Sequence, residues 1–249
     1  MSSLTTEAAQ SVSAGTLFTS NSEQRGKTFR IAAGVLVIIY ICVQAFQNYV
    51  FSAFGVPANA GEELLQGAAS LHVTRSTLML ISIFALIFMW WVICVQGIRR
   101  NSFLALIAFF GFFMFGMFEV ALRSVELFWT QIQLPAEYLK ATGPLVHAAI
   151  LDKFTTFQSI QGALYFPLMF GPFLAYFAVF FLFPSSPRIH RALKFTIAFA
   201  AARTGMRLLG YAGIHLVNDA TYMKFYFAMV LIEYLPRAYW LFRVKDDDF

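Results

Sequence analysis

Glu119, Arg123, Glu126 and Thr130 are spaced 4, 3 and 4 along a segment otherwise built of Phe, Leu, Val, Met and Gly. That spacing puts all four on one stripe of a helix. Acids and guanidiniums on a shared stripe can hold a polar or anionic ligand, relay a proton, or pair with each other. Further along, Arg203 and Arg207 are one helical turn apart. Tyr222, Tyr226, Glu233 and Arg237 share a face of the last apolar segment, and Gln158, Gln161 and Tyr165 share a face of an earlier one. Gln44, Gln47 and Asn48 add amides to the first.

The elements that must carry these groups are membrane helices. The chain has 249 residues, 59% of them hydrophobic and 12% charged, with 30 Phe. An ordinary soluble domain is about 25% charged, so the deficit points to a bilayer. Six segments, near 31–54, 76–98, 102–130, 154–183, 192–216 and 222–243, are long and apolar enough to cross one. No stretch alternates like a barrel strand. The expected fold is an all-α, integral membrane six-helix bundle over 30–245. A disordered cytoplasmic tail is expected over 1–29 and a short acidic one over 246–249. The start of the chain lacks the pattern of a cleavable signal peptide.

Lysine and arginine set the orientation. With the N-terminus in the cytoplasm, the inner side holds Arg25, Lys27, Arg30, Arg99, Arg100, Arg188, Arg191, Lys194, Arg243 and Lys245. The outer side holds Arg75, Lys140, Lys153 and Lys224. Both termini are therefore expected in the cytoplasm, in a bacterial inner membrane. The formal net charge of +5 reads as topology and attraction to anionic lipid, and nucleic acid is not an expected partner. Outer loops are expected over 55–75 and 131–153, with a short helix in "EELLQGAASLH".

Charge at the bilayer centre costs about 2.5–3.5 kcal/mol per residue on insertion scales. The buried acids and arginines should therefore face inward and pair. Glu119 lies roughly 24 Å from the inner boundary at helical rise, in the outer half. Matching depths pair Arg203 with Glu233 near the midplane and leave Arg207 to meet Glu119. Arg123 and Glu126 can snorkel or join. One outcome is an ion-pair network that only fixes helix order. The other is a cationic cavity open outward, with Arg123, Arg203, Arg207, Glu119, Glu233, Gln158, Gln161 and Tyr226 as ligand-binding groups and apolar walls for a hydrocarbon chain. Pro167, Gly171 and Pro172 inside the fourth segment would help to open it.

Metal chemistry has a thinner basis. His72, His147 and His215 fall on the outer side, and Asp219 follows His215 by four residues, a spacing that suits one ion. No cofactor is assigned. Phosphate-cradling Gly-rich loops, H-E-x-x-H and G-x-S-x-G are not present.

"GKTFRIAAGVLVIIY" and "LYFPLMFGPFLAYFAVFFLFPSSPRIHRAL" resemble segments of an uncharacterised family of small bacterial polytopic membrane proteins. That resemblance implies a fold and no activity. "IFALIFMWWVICVQGIRR", with the polar start and the length, is similar to the metal-carrying membrane subunit of copper-dependent ammonia and methane monooxygenases. That family's Asp, His four on, His thirteen on motif is missing: His147 follows Gly143 by four and precedes Ile160 by thirteen. No metal site is carried over.

The leading functional expectation is binding or translocating an amphipathic or anionic small molecule or lipid. One alternative is a membrane-embedded enzyme using Glu119 or Glu233 as catalytic acid–base. Another is a non-catalytic subunit packed on other membrane subunits. The orientation is directly measurable. A fluorescent-protein fusion after residue 245 should light up in the cytoplasm, and an alkaline phosphatase fusion there should be inactive; the reverse pattern overturns the topology.

Overall fold

The computed structural model describes residues 3–245, with the side chains of 26–218 and 221–245. Most of the expected 1–29 tail and all of 246–249 therefore lie outside the described side chains. The described residues are all-helical, with no strand. The elements are α1 (Ser3–Ala53), α2 (Ala60–Gly67), α3 (Ser70–Gly97), α4 (Ser102–Val125), a π-helical segment (Glu126–Gln133), α5 (Leu134–Lys140), α6 (Pro144–Leu182), α7 (Arg188–Tyr211) and α8 (Asp219–Arg243).

Packing follows chain order. α1 lies on α3, α3 on α4, α4 on α6, α6 on α7 and α7 on α8; α8 closes the ring against α1. Short connections force each helix back beside its predecessor. Asn101 helps start one of them: its side chain accepts from the Leu104 backbone N–H at 3.0 Å, the usual helix-start device.

Four helices are long and apolar enough to cross a membrane: Gly26–Ala53, Ser70–Gly97, Ser102–Lys140 and Pro144–Leu182. α7 and α8 were expected to qualify as well. They fall short on composition because they carry Arg191, Lys194, Arg203 and Arg207, and Lys224, Glu233, Arg237 and Arg243. The exterior explains the phenylalanine excess. Phe84, Phe103, Phe110, Phe128 and Phe181 are 60–71% exposed, while Gln44, Glu233 and Arg237 are buried. Large exposed aromatics around a partly polar interior suit a lipid solvent.

The loop expected over 131–153 is mostly helix. The third apolar segment continues through the π-helical turns and α5 to Lys140, and α6 begins at Pro144. Pro135, read as a loop residue, sits in the first turn of α5, where a missing N–H costs little. The true break is Ala141–Gly143, where Gly143 takes φ +99°, a conformation that favours glycine. α2 does fall in the connection expected over 55–75, capped by Asn59, which accepts from the Glu62 N–H at 2.9 Å. α6 runs unbroken through Pro167 and Pro172.

Backbones come close where α4 crosses α6. A Cβ on Gly111 would lie 2.5 Å from the Gly171 carbonyl oxygen and 2.9 Å from Ala175 Cβ. Beside this crossing Trp90 stacks on Phe112 at 3.6 Å between centroids. Gly111→Ala must therefore push the helices apart, at about 1–3 kcal/mol, and should lower the thermal midpoint in detergent. Gly162→Ala, with nothing within 4 Å of the new methyl, should leave it unchanged or slightly raised.

Candidate functional site

A cavity of about 760 Å³ lies within the ring, walled by α1, α3, α4, α6, α7 and α8 and roofed by α2. Four arginines line it, Arg75, Arg123, Arg203 and Arg207, against three acids, Glu63, Glu119 and Glu126. The membership differs from the expected set. Arg237 and Glu233 stand behind the wall, while Arg75 and Glu63 take part in it. Gln158, Gln161 and Tyr226 line the cavity as well.

Two ion-pair networks are built into this wall. The first is centred on Glu233, which is 1% exposed. Arg203 donates to its Oε2 through Nε and Nη2 at 3.1 and 2.8 Å, and Arg237 Nη2 stands 2.9 Å from its Oε1. The Tyr176 hydroxyl donates to the same Oε1 at 3.3 Å. Arg203 also donates from Nη1 to the Tyr222 oxygen at 2.8 Å. The expected Arg203–Glu233 pair is present, and one carboxylate faces two guanidiniums. Arg237 is fully buried. Its guanidinium lies 4.7 Å from the Trp90 ring centre, 4.8 Å from Tyr234 and 5.7 Å from Tyr176. Ring faces stabilise a desolvated cation by about 2 kcal/mol; they supply part of what a second carboxylate would.

The second network alternates in sign. Arg75 Nη2 donates to Glu126 Oε1 at 2.9 Å, Arg123 Nη1 to Glu126 Oε2 at 2.6 Å and Arg123 Nε to Glu119 Oε1 at 2.9 Å. Two positive and two negative charges balance. The expected pairing of Arg207 with Glu119 is not formed. Arg123, one turn from Glu119 on the same helix, reaches it without crossing the cavity. Arg207 stacks its guanidinium 4.7 Å over the Tyr222 ring. Arg75, expected in an outer loop, is 5% exposed inside α3.

The π-helical segment shapes this second network. Gln131 Nε2 donates to Glu126 Oε1 at 3.3 Å. In an α-helix residues five apart point about 140° away from each other; the wider π turn brings them to one side. Sequence periodicity at α spacing finds Glu119, Arg123, Glu126 and Thr130 and passes over Gln131.

The histidines do not converge. His72 is buried against the Phe54 ring at 4.4 Å. His147 Nε2 lies 3.1 Å from the Tyr138 carbonyl oxygen. His215 is exposed, and the Asp219 side chain lies outside the described residues. Among the described residues no three His, Cys, Asp or Glu side chains group as metal ligands would.

A second, almost wholly apolar groove of about 380 Å³ runs between α1 and α3, lined by Leu36, Ile39, Val43, Leu78, Ile81 and Phe84 among others. Tyr40 belongs to the walls of both this groove and the polar cavity.

Comparison of the chain with protein-family models, with curated proteins and with solved structures gives no match. What the site does must be argued from its own chemistry.

Removing one member of the Glu233 cluster tests its weight. Glu233→Ala leaves Arg237 buried without its counter-charge and should cost about 3–5 kcal/mol, seen as a large fall in thermal midpoint or loss of folded protein. Arg237→Met keeps the Arg203–Glu233 pair and fills the aromatic cage, so it should be clearly milder. Equal losses would show that the cage, not the shared carboxylate, holds the cluster.

Proposed function

We propose that the ring of six helices crosses a bilayer with both termini in the cytoplasm. Its outward-facing cavity binds, and in turnover moves, an anionic or amphipathic small molecule or lipid. The observation that carries this reading is a sizeable cavity among the apolar helices whose wall holds more guanidiniums than carboxylates. A purely structural ion-pair network has no use for such a space, and intramembrane ionisable groups are functional by default.

Three further features support it. The Glu233 cluster has one acid for two arginines, and its Arg203 member lines the cavity. Planar guanidiniums suit phosphate and carboxylate. The apolar groove between α1 and α3, which shares Tyr40 with the cavity wall, offers a hydrocarbon chain a place to lie. The exterior needs lipid around it on composition alone.

The acid–base enzyme reading has less to stand on. Glu233 does not line the cavity, and both its oxygens are engaged by Arg203, Arg237 and Tyr176. Glu119 is held by Arg123 at 2.9 Å. Carboxylates held this way are poor proton carriers.

Native mass spectrometry of protein extracted directly from membranes tests the proposal. The wild type should carry an anionic amphiphile. Arg203→Gln and Arg207→Ala should each accumulate as folded protein and lose about tenfold or more of that occupancy. Retention of the same adduct in both variants overturns the reading.

A further inference from the structure

The outer end of the cavity contains an unusual set of polar atoms. Gln47, His72, Arg75 and Gln131 all line it, and all are more than nine-tenths buried. Each has one side-chain atom with no hydrogen-bond partner: Gln47 Oε1, His72 Nε2, Arg75 Nε and Gln131 Oε1. A buried polar atom left unpaired costs about 1–3 kcal/mol, and such atoms are rare in native structures. Four among the residues lining a single cavity mark a place that suits a further polar group.

Which atoms donate and which accept is set by their neighbours. The Gln44 amide donates from Nε2 to Met79 sulfur at 3.3 Å, and its Oε1 accepts from the Tyr226 hydroxyl at 2.9 Å. Gln47 Nε2 donates to that same Gln44 Oε1 at 3.4 Å, so the Gln47 oxygen is the unsatisfied atom. Gln131 Nε2 faces the Glu126 carboxylate, which accepts only, so its oxygen is likewise the unsatisfied atom. Arg75 Nε can only donate. The wall therefore shows two acceptors, one donor, and a histidine nitrogen that serves as either.

That mixture excludes simple ions. A phosphate or carboxylate oxygen would meet Arg75 but set its lone pairs against two amide oxygens, next to Glu126. An ammonium would meet the amide oxygens but stand against the Arg75 guanidinium. A hydroxyl donates and accepts and meets both kinds.

Resting on the reading that the cavity binds an anionic amphiphile, we propose that this ligand's head group also carries free hydroxyls, as a phosphoglycerol or a sugar phosphate does. The hydroxyls sit among Gln47, His72, Arg75 and Gln131, and the anionic group turns toward Arg203.

Water can also donate and accept, so the test must distinguish a bound head-group hydroxyl from bound water. Delipidated protein in detergent is titrated separately with phosphatidylglycerol, phosphatidic acid and phosphatidylethanolamine of identical chains, followed by native mass spectrometry. Phosphatidylglycerol should bind about fivefold or more tighter than phosphatidic acid, the worth of one or two hydrogen bonds. Phosphatidylethanolamine should bind weakest. Gln131→Leu should bring phosphatidylglycerol down to the affinity of phosphatidic acid and leave the latter unchanged; Gln47→Leu makes the same test if that variant does not accumulate. Equal wild-type affinities for the two anionic lipids, or a preference surviving both substitutions, overturn the head-group assignment and leave that end to water. If those equal affinities both collapse in Arg203→Gln, the anionic-cavity reading stands without the hydroxyl. If neither anionic lipid binds, both readings fall. Displacement of phosphatidylglycerol by equimolar glycerol 3-phosphate overturns the amphiphile in favour of a soluble ligand; failure to displace it supports the lipid.

Discussion

The carboxylate of Glu233, shared between two guanidiniums, is the constraint on which the arrangement of the helices depends. It draws Arg203 of α7 and Arg237 of α8 onto one point, with Tyr176 of α6 donating to it. Through Arg237 it also engages Trp90 of α3, and Arg237 Nε lies 3.4 Å from the Thr196 hydroxyl of α7. Apolar packing alone would let a greasy helix rotate at little cost in lipid, because tails and leucines are equivalent solvents. An unpaired charge in that environment allows no such freedom. The cluster thus selects the inward faces of α7 and α8, the two helices whose composition least favours a bilayer.

The two networks divide the work. At the Glu233 cluster the deficit of negative charge is offset by aromatic faces, which hold Arg237 permanently and leave Arg203 at the cavity wall. At Arg75, Glu126, Arg123 and Glu119 the charges cancel. That stretch supplies a polar surface without a net field, next to amides and a histidine. The cavity is therefore uneven along its length. It carries Arg203 and Arg207 on the α7 side, and mixed donors and acceptors beneath α2, where Gln158 Nε2 also reaches Glu63 at 2.7 Å. A head group that differs from end to end matches such a wall better than a symmetric ion does.

Much of this was legible in the chain. Sparse charge and long apolar stretches announce helices fit for lipid, four of which qualify by length and composition, and the cost of intramembrane charge forces acids and arginines together. Depth counting found Arg203 with Glu233 because those two lie at similar height on consecutive antiparallel helices. It failed for Glu119 because depth ignores reach: Arg123, one turn away, is nearer than anything on another helix. Arg75 was assigned to a loop because α3 begins earlier, at Ser70, than the hydrophobic run suggests; its charge is compensated by Glu126, a residue 51 positions away. Pro135 and Gly143 were read as one loop, although only Gly143 breaks the helix. Gln131 was invisible because its alignment with Glu126 exists only in a π turn, and single-sequence periodicity presumes α geometry.

That π-helical stretch between Glu126 and Gln133 has a mechanical consequence. It holds surplus backbone per turn, and a helix sheds such a surplus only by twisting one flank against the other. Relaxing to α pitch would swing Gln131 off Glu126 and rotate α5 under the α2 roof, while α4 stayed anchored by Gly111 on Gly171.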